Sequence, residues 1–135
     1  SIKIESFNRK FDGDVDIPDT SSTVVFSCVD DIPPRREIFL ASRDIAKLYV
    51  DGRMSAEVSR VFGIDPFNQA HKAKYLETLK DPGAEEPCTA KSTGFTAYVT
   101  AGLMIQQFSL WMRDLPLIND FVLSLKTGDV QVVDY

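Results

Sequence analysis

Residues 23–35 read Thr23-Val-Val-Phe-Ser-Cys-Val-Asp-Asp-Ile-Pro-Pro-Arg35. The unbroken run of apolar and β-branched residues from Thr23 to Val29 predicts a strand buried on both faces, as in a parallel sheet. It closes on Asp30 and Asp31, then on Pro33 and Pro34. Proline is tolerated in the first turn of a helix, where a missing N–H leaves no intrahelical bond unmade. A helix is therefore expected from Pro34 to about Ala46, with Ile38, Leu40, Ala41 and Ile45 on its apolar side. A second short strand, Lys47-Leu-Tyr-Val50, follows and closes on Asp51-Gly52. Strand, helix and strand then form one unit with a parallel crossover. Carboxylates at the C-terminal end of such a strand stand where α/β sheets bind their ligands.

Outward from this unit, Ile2, Ile4 and Phe7 alternate with Lys3 and Glu5, which predicts a strand over residues 1–7. Residues 8–21 are polar and rich in Asp, with Gly13 and Pro18, and read as loop. Residues 57–64 read as a strand at a sheet edge or running antiparallel, and residues 68–80 as a weak helix. Asp81 to Pro87 is a turn-rich loop that presents Cys88 and Thr89. Phe95 to Met112 is the longest apolar segment, approaching the ~20 residues a membrane span needs. Thr96, Thr100, Gln106, Gln107 and Ser109 interrupt it, so a buried helix packed on a sheet is expected instead. Phe121–Leu125 and Val130–Val133 form a hairpin with Gly128 in its turn.

Composition narrows the function. The 135 residues carry 15 basic and 20 acidic side chains, for a net charge of -5. Apolar content of 44% fits one folded domain, not a disordered chain. The most basic cluster singled out, Arg35-Arg36, sits among Asp30, Asp31 and Glu37, a poor match for nucleic-acid phosphates. Two cysteines, Cys28 and Cys88, and one histidine, His71, make neither a disulfide framework nor a zinc site. The N-terminus lacks the apolar core of a signal peptide, which predicts a cytoplasmic protein without membrane contact.

The order of these elements resembles the second half of the adenylation domain in ThiF-type, ubiquitin-activating-like enzymes. The resemblance rests on the strand ending in Asp30-Asp31 with Arg35 four residues on. It continues through Leu48-Tyr-Val-Asp-Gly52, Val58-Ser-Arg-Val-Phe62 and Pro87-Cys88-Thr89. Thr93-Gly-Phe-Thr-Ala-Tyr-Val-Thr-Ala-Gly102 and the C-terminal hairpin complete it. It implies an α/β, Rossmann-like half-domain over residues 1–135: a mixed sheet with parallel strands, a crossover helix, a long buried helix and a C-terminal hairpin. Asp31 stands where the family has Asn, and no Gly-x-Gly-x-x-Gly occurs. The expectation is thus the C-terminal part of an adenylation domain whose nucleotide-binding half is absent, in keeping with the abrupt start at Ser1.

The implied activity is ATP-dependent activation of a C-terminal carboxylate, of a ubiquitin-like or sulfur-carrier protein or of a peptide, as an acyl-adenylate. ATP and magnesium are the implied cofactors and a homodimer the implied assembly, and the fragment alone is expected to be inactive. Asp30 matches the catalytic and metal-proximal aspartate, with Asp31 and Arg35 beside the nucleotide. Cys88 matches the cysteine that accepts the acyl group as a thioester. Each residue has a plainer reading. Asp30 and Asp31 could cap the following helix. Arg35 could be a solvated helix residue, and Cys88 an unreactive loop thiol. Cys28 reads as a packed core thiol and His71 as a surface residue. Trp111 and Met112 read as core or interface, and Asp51 and Arg53 carry no motif. The alternative function is a non-enzymatic interaction half-domain that pairs through an open sheet edge.

Overall fold

The computed structural model describes residues 2–11, 17, 21–80 and 94–135. Its frame starts with β1 (Val24–Ser27), α1 (Ile32–Ser42) and β2 (Leu48–Ser55). β1 and β2 pair in parallel, with Val24 opposite Leu48 and Ser27 opposite Asp51. β3 (Val58–Ile64) turns back antiparallel to β2 and is followed by α2 (Gln69–Glu77). α3 (Gly94–Met112) precedes an antiparallel hairpin, β4 (Asp120–Ser124) and β5 (Val130–Val133). The result is one mixed five-stranded sheet in the order β1-β2-β3-β4-β5, with one parallel pair. This is the α/β architecture of a Rossmann-like half-domain. Gly128 takes a φ of +76° in the hairpin, a conformation that favours glycine. No helix among the described residues is long and apolar enough to cross a membrane.

Strand alternation divides the core into two layers. Tyr49, Phe62 and Ile64 point to one face, where Ile32 and Phe39 of α1 and Tyr75 and Leu79 of the α2 region pack on them. Leu48, Val50 and Val61 point to the other face, against Met104 of α3. Two glycines let α3 approach. A Cβ on Gly52 would lie 2.4 Å from the Met104 sulfur, and one on Gly63 2.3 Å from Gln107 Oε1.

Four local expectations change. Residues 2–11 form no strand, and Ile2, Ile4 and Phe7 are exposed. Alternation supplies an apolar edge, but a strand also needs a partner whose N–H and C=O groups it can pair with. Among the described residues β1 is an edge strand, and Phe26 on it is exposed, so burial on both faces does not hold. It ends at Ser27, which leaves the Cys28 thiol exposed, not packed in the core. β2 runs on to Ser55, past the Asp51-Gly52 at which the sequence stops it, because β3 pairs with it as far as Ser55–Val58.

Candidate functional site

The chain leaves β1 at Ser27 and presents Asp30 and Asp31 on the surface before α1 begins. Asp31 occupies the position that precedes the helix, in extended conformation, yet its side chain accepts no capping bond. The cause lies in the next residues. A capping carboxylate accepts from the N–H of the second or third helical residue. Those residues are Pro33 and Pro34, which have no N–H. The capping reading of Asp31 is therefore not realised, and two adjacent carboxylates face solvent at the end of a parallel strand.

Beneath them lies a buried polar network. Arg35 is only 2% exposed. Its guanidinium donates to the Asp51 carboxylate, to the Val29 carbonyl and, at 3.2 Å, to the Gly52 carbonyl. Asp51, fully buried, also accepts from Arg53 Nε at 2.9 Å and from the Tyr75 hydroxyl at 2.9 Å. Arg53 reaches on to the Thr78 hydroxyl at 3.0 Å, and its guanidinium lies 4.5 Å from the Phe62 ring centre. Burial pushes the Tyr75 hydroxyl well above its ordinary pKa and raises that of Tyr49. Both remain protonated and can donate. Arg35 is thus not a solvated residue, and it lines the cleft beside Asp30. It ties the backbone just before Asp30 to the neighbouring strand.

Cavities flank the carboxylate pair. On one side an open cleft of about 980 Å³ is bordered by Cys28, Asp30, Arg53, Met54 and Arg60. Arg60 is held at its wall by Asp120, with contacts of 2.9 and 2.7 Å. On the other side a second cavity of about 860 Å³ brings Arg9 and Lys10 to the same wall as Asp30 and Asp31. Asp30 is common to both. Among the described residues, no group of three or more His, Cys, Asp or Glu converges to hold a metal on its own. Two exposed carboxylates still suit magnesium, which commonly takes one or two protein carboxylates and completes its shell with water and phosphate oxygens.

Asp30 and Asp31 stand together, with Arg35 behind them in the network. Cys88 and the loop from Asp81 to Pro87 lie outside the described residues. Asp51, Arg53 and Tyr75 were not legible as a unit from motifs. The alternation of Tyr49, Asp51 and Arg53 was the available signal, since continuing the strand beyond Val50 puts all three on one face. Arg9-Lys10 is a second basic pair that composition alone does not distinguish from its surroundings. No family model matches the chain, and no curated protein matches it.

Proposed function

We propose that this chain is the carboxylate-bearing half of a ThiF-type adenylyltransferase, which uses ATP to activate a C-terminal carboxylate. The observation that carries the reading is the Asp30-Asp31 pair. It sits at the C-terminal end of a parallel strand, beside an open cleft, and Pro33 and Pro34 deprive it of capping donors. Ligand sites in α/β sheets form at such strand ends. The order β-α-β followed by antiparallel strands supports it as well.

On this reading Asp30 holds magnesium, with Asp31 beside it. When bound, the ion neutralises triphosphate charge. Arg9 and Lys10 face the nucleotide phosphates, and the remaining phosphate contacts come from a nucleotide-binding half. Arg35 acts as a positioning residue through the Val29 carbonyl. A substrate tail lies in the cleft between Asp30 and Arg60. Its carboxylate oxygen attacks the α-phosphorus, a P–O bond forms, and pyrophosphate leaves with the bonding electron pair. Cys88 is the candidate to receive the acyl group as a thioester, with AMP as the leaving group.

The test is ATP–pyrophosphate exchange by the protein expressed from its complete coding sequence, with a ubiquitin-like protein or a peptide offering a free C-terminus. Exchange is expected, and Asp30→Asn should cut it by about 100-fold or more, the scale of several kcal/mol of charge stabilisation. Binding of magnesium-ATP without exchange on any carboxylate would overturn the reading and favour the interaction half-domain. So would exchange that Asp30→Asn leaves untouched.

A further inference from the structure

One row of side chains crosses the sheet on the face that carries Asp51 and Phe62. Arg53 of β2 stands opposite Arg60 of β3, Arg60 opposite Val122 of β4, and Val122 opposite Gln131 of β5. All four line the open cleft that borders Asp30. Like charges directly opposite each other on one face destabilise a sheet. Here the cost is offset locally. Arg53 pairs with Asp51 and Arg60 with Asp120, and the Phe62 ring lies 4.5 and 4.7 Å from the two guanidinium groups. A local rule broken in this way is expected where function needs it.

The two arginines differ in access. Arg53 is 8% exposed and bonded to Asp51 and Thr78. The Arg60 side chain keeps 39% of its surface. Asp120 accepts from its Nε at 2.9 Å and from its Nη2 at 2.7 Å, and is itself bonded by the Tyr135 hydroxyl at 3.3 Å. That uses one edge of the guanidinium. Nη1 makes no hydrogen bond among the described residues. Because the five N–H donors of arginine lie in one fixed plane, the edge formed by Nη1 and Nη2 can take a second carboxylate two-pronged. Asp120 and Phe62 hold that edge in place before a ligand arrives, which lowers the ordering cost of binding.

We infer that Arg60 is a specificity residue whose Nη1–Nη2 edge receives the side-chain carboxylate of an Asp or Glu in an extended C-terminal tail. The inference rests on the proposed function for one point only, that a tail occupies this cleft. The tail's terminal carboxylate reacts beside Asp30, so the acid that meets Arg60 comes from further back along the tail. Asp30 follows β1 and Arg60 stands on β3, two strand spacings or about 10 Å across the sheet. An extended chain covers that in about three residues. Met54, Val122 and Val133 line the same cleft and suit apolar neighbours of the acid. A basic residue at that place would meet a guanidinium of like charge, which discriminates against it.

Fluorescence anisotropy of short labelled peptides with a free C-terminus tests this, on the protein expressed from its complete coding sequence. A single Glu is moved through the last positions of an otherwise uncharged peptide, with Gln and Lys at the same positions as controls. The Glu peptide is expected to bind about 10-fold more tightly than the Gln peptide when the acid lies about three residues from the end, and the Lys peptide more weakly than either. Arg60→Gln should bring the Glu and Gln peptides level. Arg60→Lys keeps a cation for Asp120 and should keep the wild-type circular dichroism spectrum. It should still lose most of the preference, because an ammonium held by Asp120 presents no second edge. A Glu preference that survives both substitutions overturns the inference. So does binding without a Glu preference at any position, and so does the absence of peptide binding. ATP–pyrophosphate exchange measured in parallel separates the two readings. Exchange without a Glu preference removes this inference alone, whereas a Glu preference that depends on Arg60 without exchange upholds it and removes the adenylation reading.

Discussion

Asp51 is the residue on which the site's scaffold depends. Its carboxylate faces two guanidinium groups, from Arg35 and Arg53, and a tyrosine hydroxyl, from Tyr75. A buried pair is no guarantee of stability over an apolar replacement, but loss of one partner leaves the other charged and unsolvated. Asp51→Asn keeps the shape and removes the charge that two arginines share. Urea denaturation should show a loss of about 3–5 kcal/mol. Tyr75→Phe removes a single bond to the carboxylate and should cost less, about 1.5–3 kcal/mol. Equal losses in the two variants would mean that the charge itself carries no special weight. The motif-bearing residues Asp30, Asp31 and Arg35 were legible because they are consecutive or nearly so, and their spacing announces a strand end. Asp51 and Arg53 were visible only as letters after a strand. Their importance comes from Arg35 and Tyr75, which reach them across 16 and 24 residues of chain. A local pattern holds no trace of such contacts.

At the scale of elements, hydrophobic periodicity located every helix and strand of the described sheet, because each must show an apolar side to the core. It failed at residues 2–7, where alternation had no partner strand to join. It also left open which side of α3 lies inside. The expectation of a buried helix holds for Thr96, Thr100, Met104 and Gln107, while Phe95, Tyr98, Ile105 and Met112 face outward. The apolar content of the helix was plain, but its orientation follows from partners on β3 and the 118–120 segment. Gly63 shows how tightly that orientation is set. A Cβ there meets Gln107 Oε1 at 2.3 Å and the Ile118 carbonyl at 3.0 Å. Gln107 cannot yield without giving up the Ile118 N–H it accepts from. In a tolerant strand Gly→Ala is stabilising, by about 0.4–1 kcal/mol, because it restricts the unfolded chain. Here overpacking and a lost buried hydrogen bond outweigh that gain. Gly63→Ala should destabilise the fold by about 1–3 kcal/mol in chemical denaturation. Adding Gln107→Ala should recover little of that loss, since Ile118 N–H stays unpaired.

For the molecule as a whole, the two ends of the sheet are held differently. α1 and α2 cover β1 to β3 on one face, while β4 and β5 join the fold through the antiparallel ladder of β4 on β3, backed by a few side-chain contacts. Arg60 binds Asp120, and Asn119 donates to the Gly63 carbonyl at 3.0 Å and accepts from the Tyr135 N–H at 2.9 Å. His71 of α2 stands at this junction. Its Nδ1 accepts from the Asp65 N–H at 3.2 Å, and the Asn119 amide lies 3.3 Å from its Nε2. Partial burial holds its pKa below 6.5, with the Asp65 carboxylate pulling in the opposite direction. The unfolded chain therefore binds a proton at this group before the folded chain does. Above pH 6.5 the imidazole is neutral in both states and its contribution is complete. As pH falls below 6.5, unfolding takes up a proton and stability declines, until the folded-state pKa is passed. A proton on Nδ1 would also set two donors, the imidazole and the Asp65 N–H, against each other. Thermal melts should thus show a Tm that falls as pH drops from about 7 towards 5, the range in which histidine changes charge. His71→Gln removes the titration while keeping an acceptor near Asp65 N–H, so its Tm should decline less over the same interval. Parallel declines in the two proteins would locate the acid sensitivity in the carboxylates of the sheet instead.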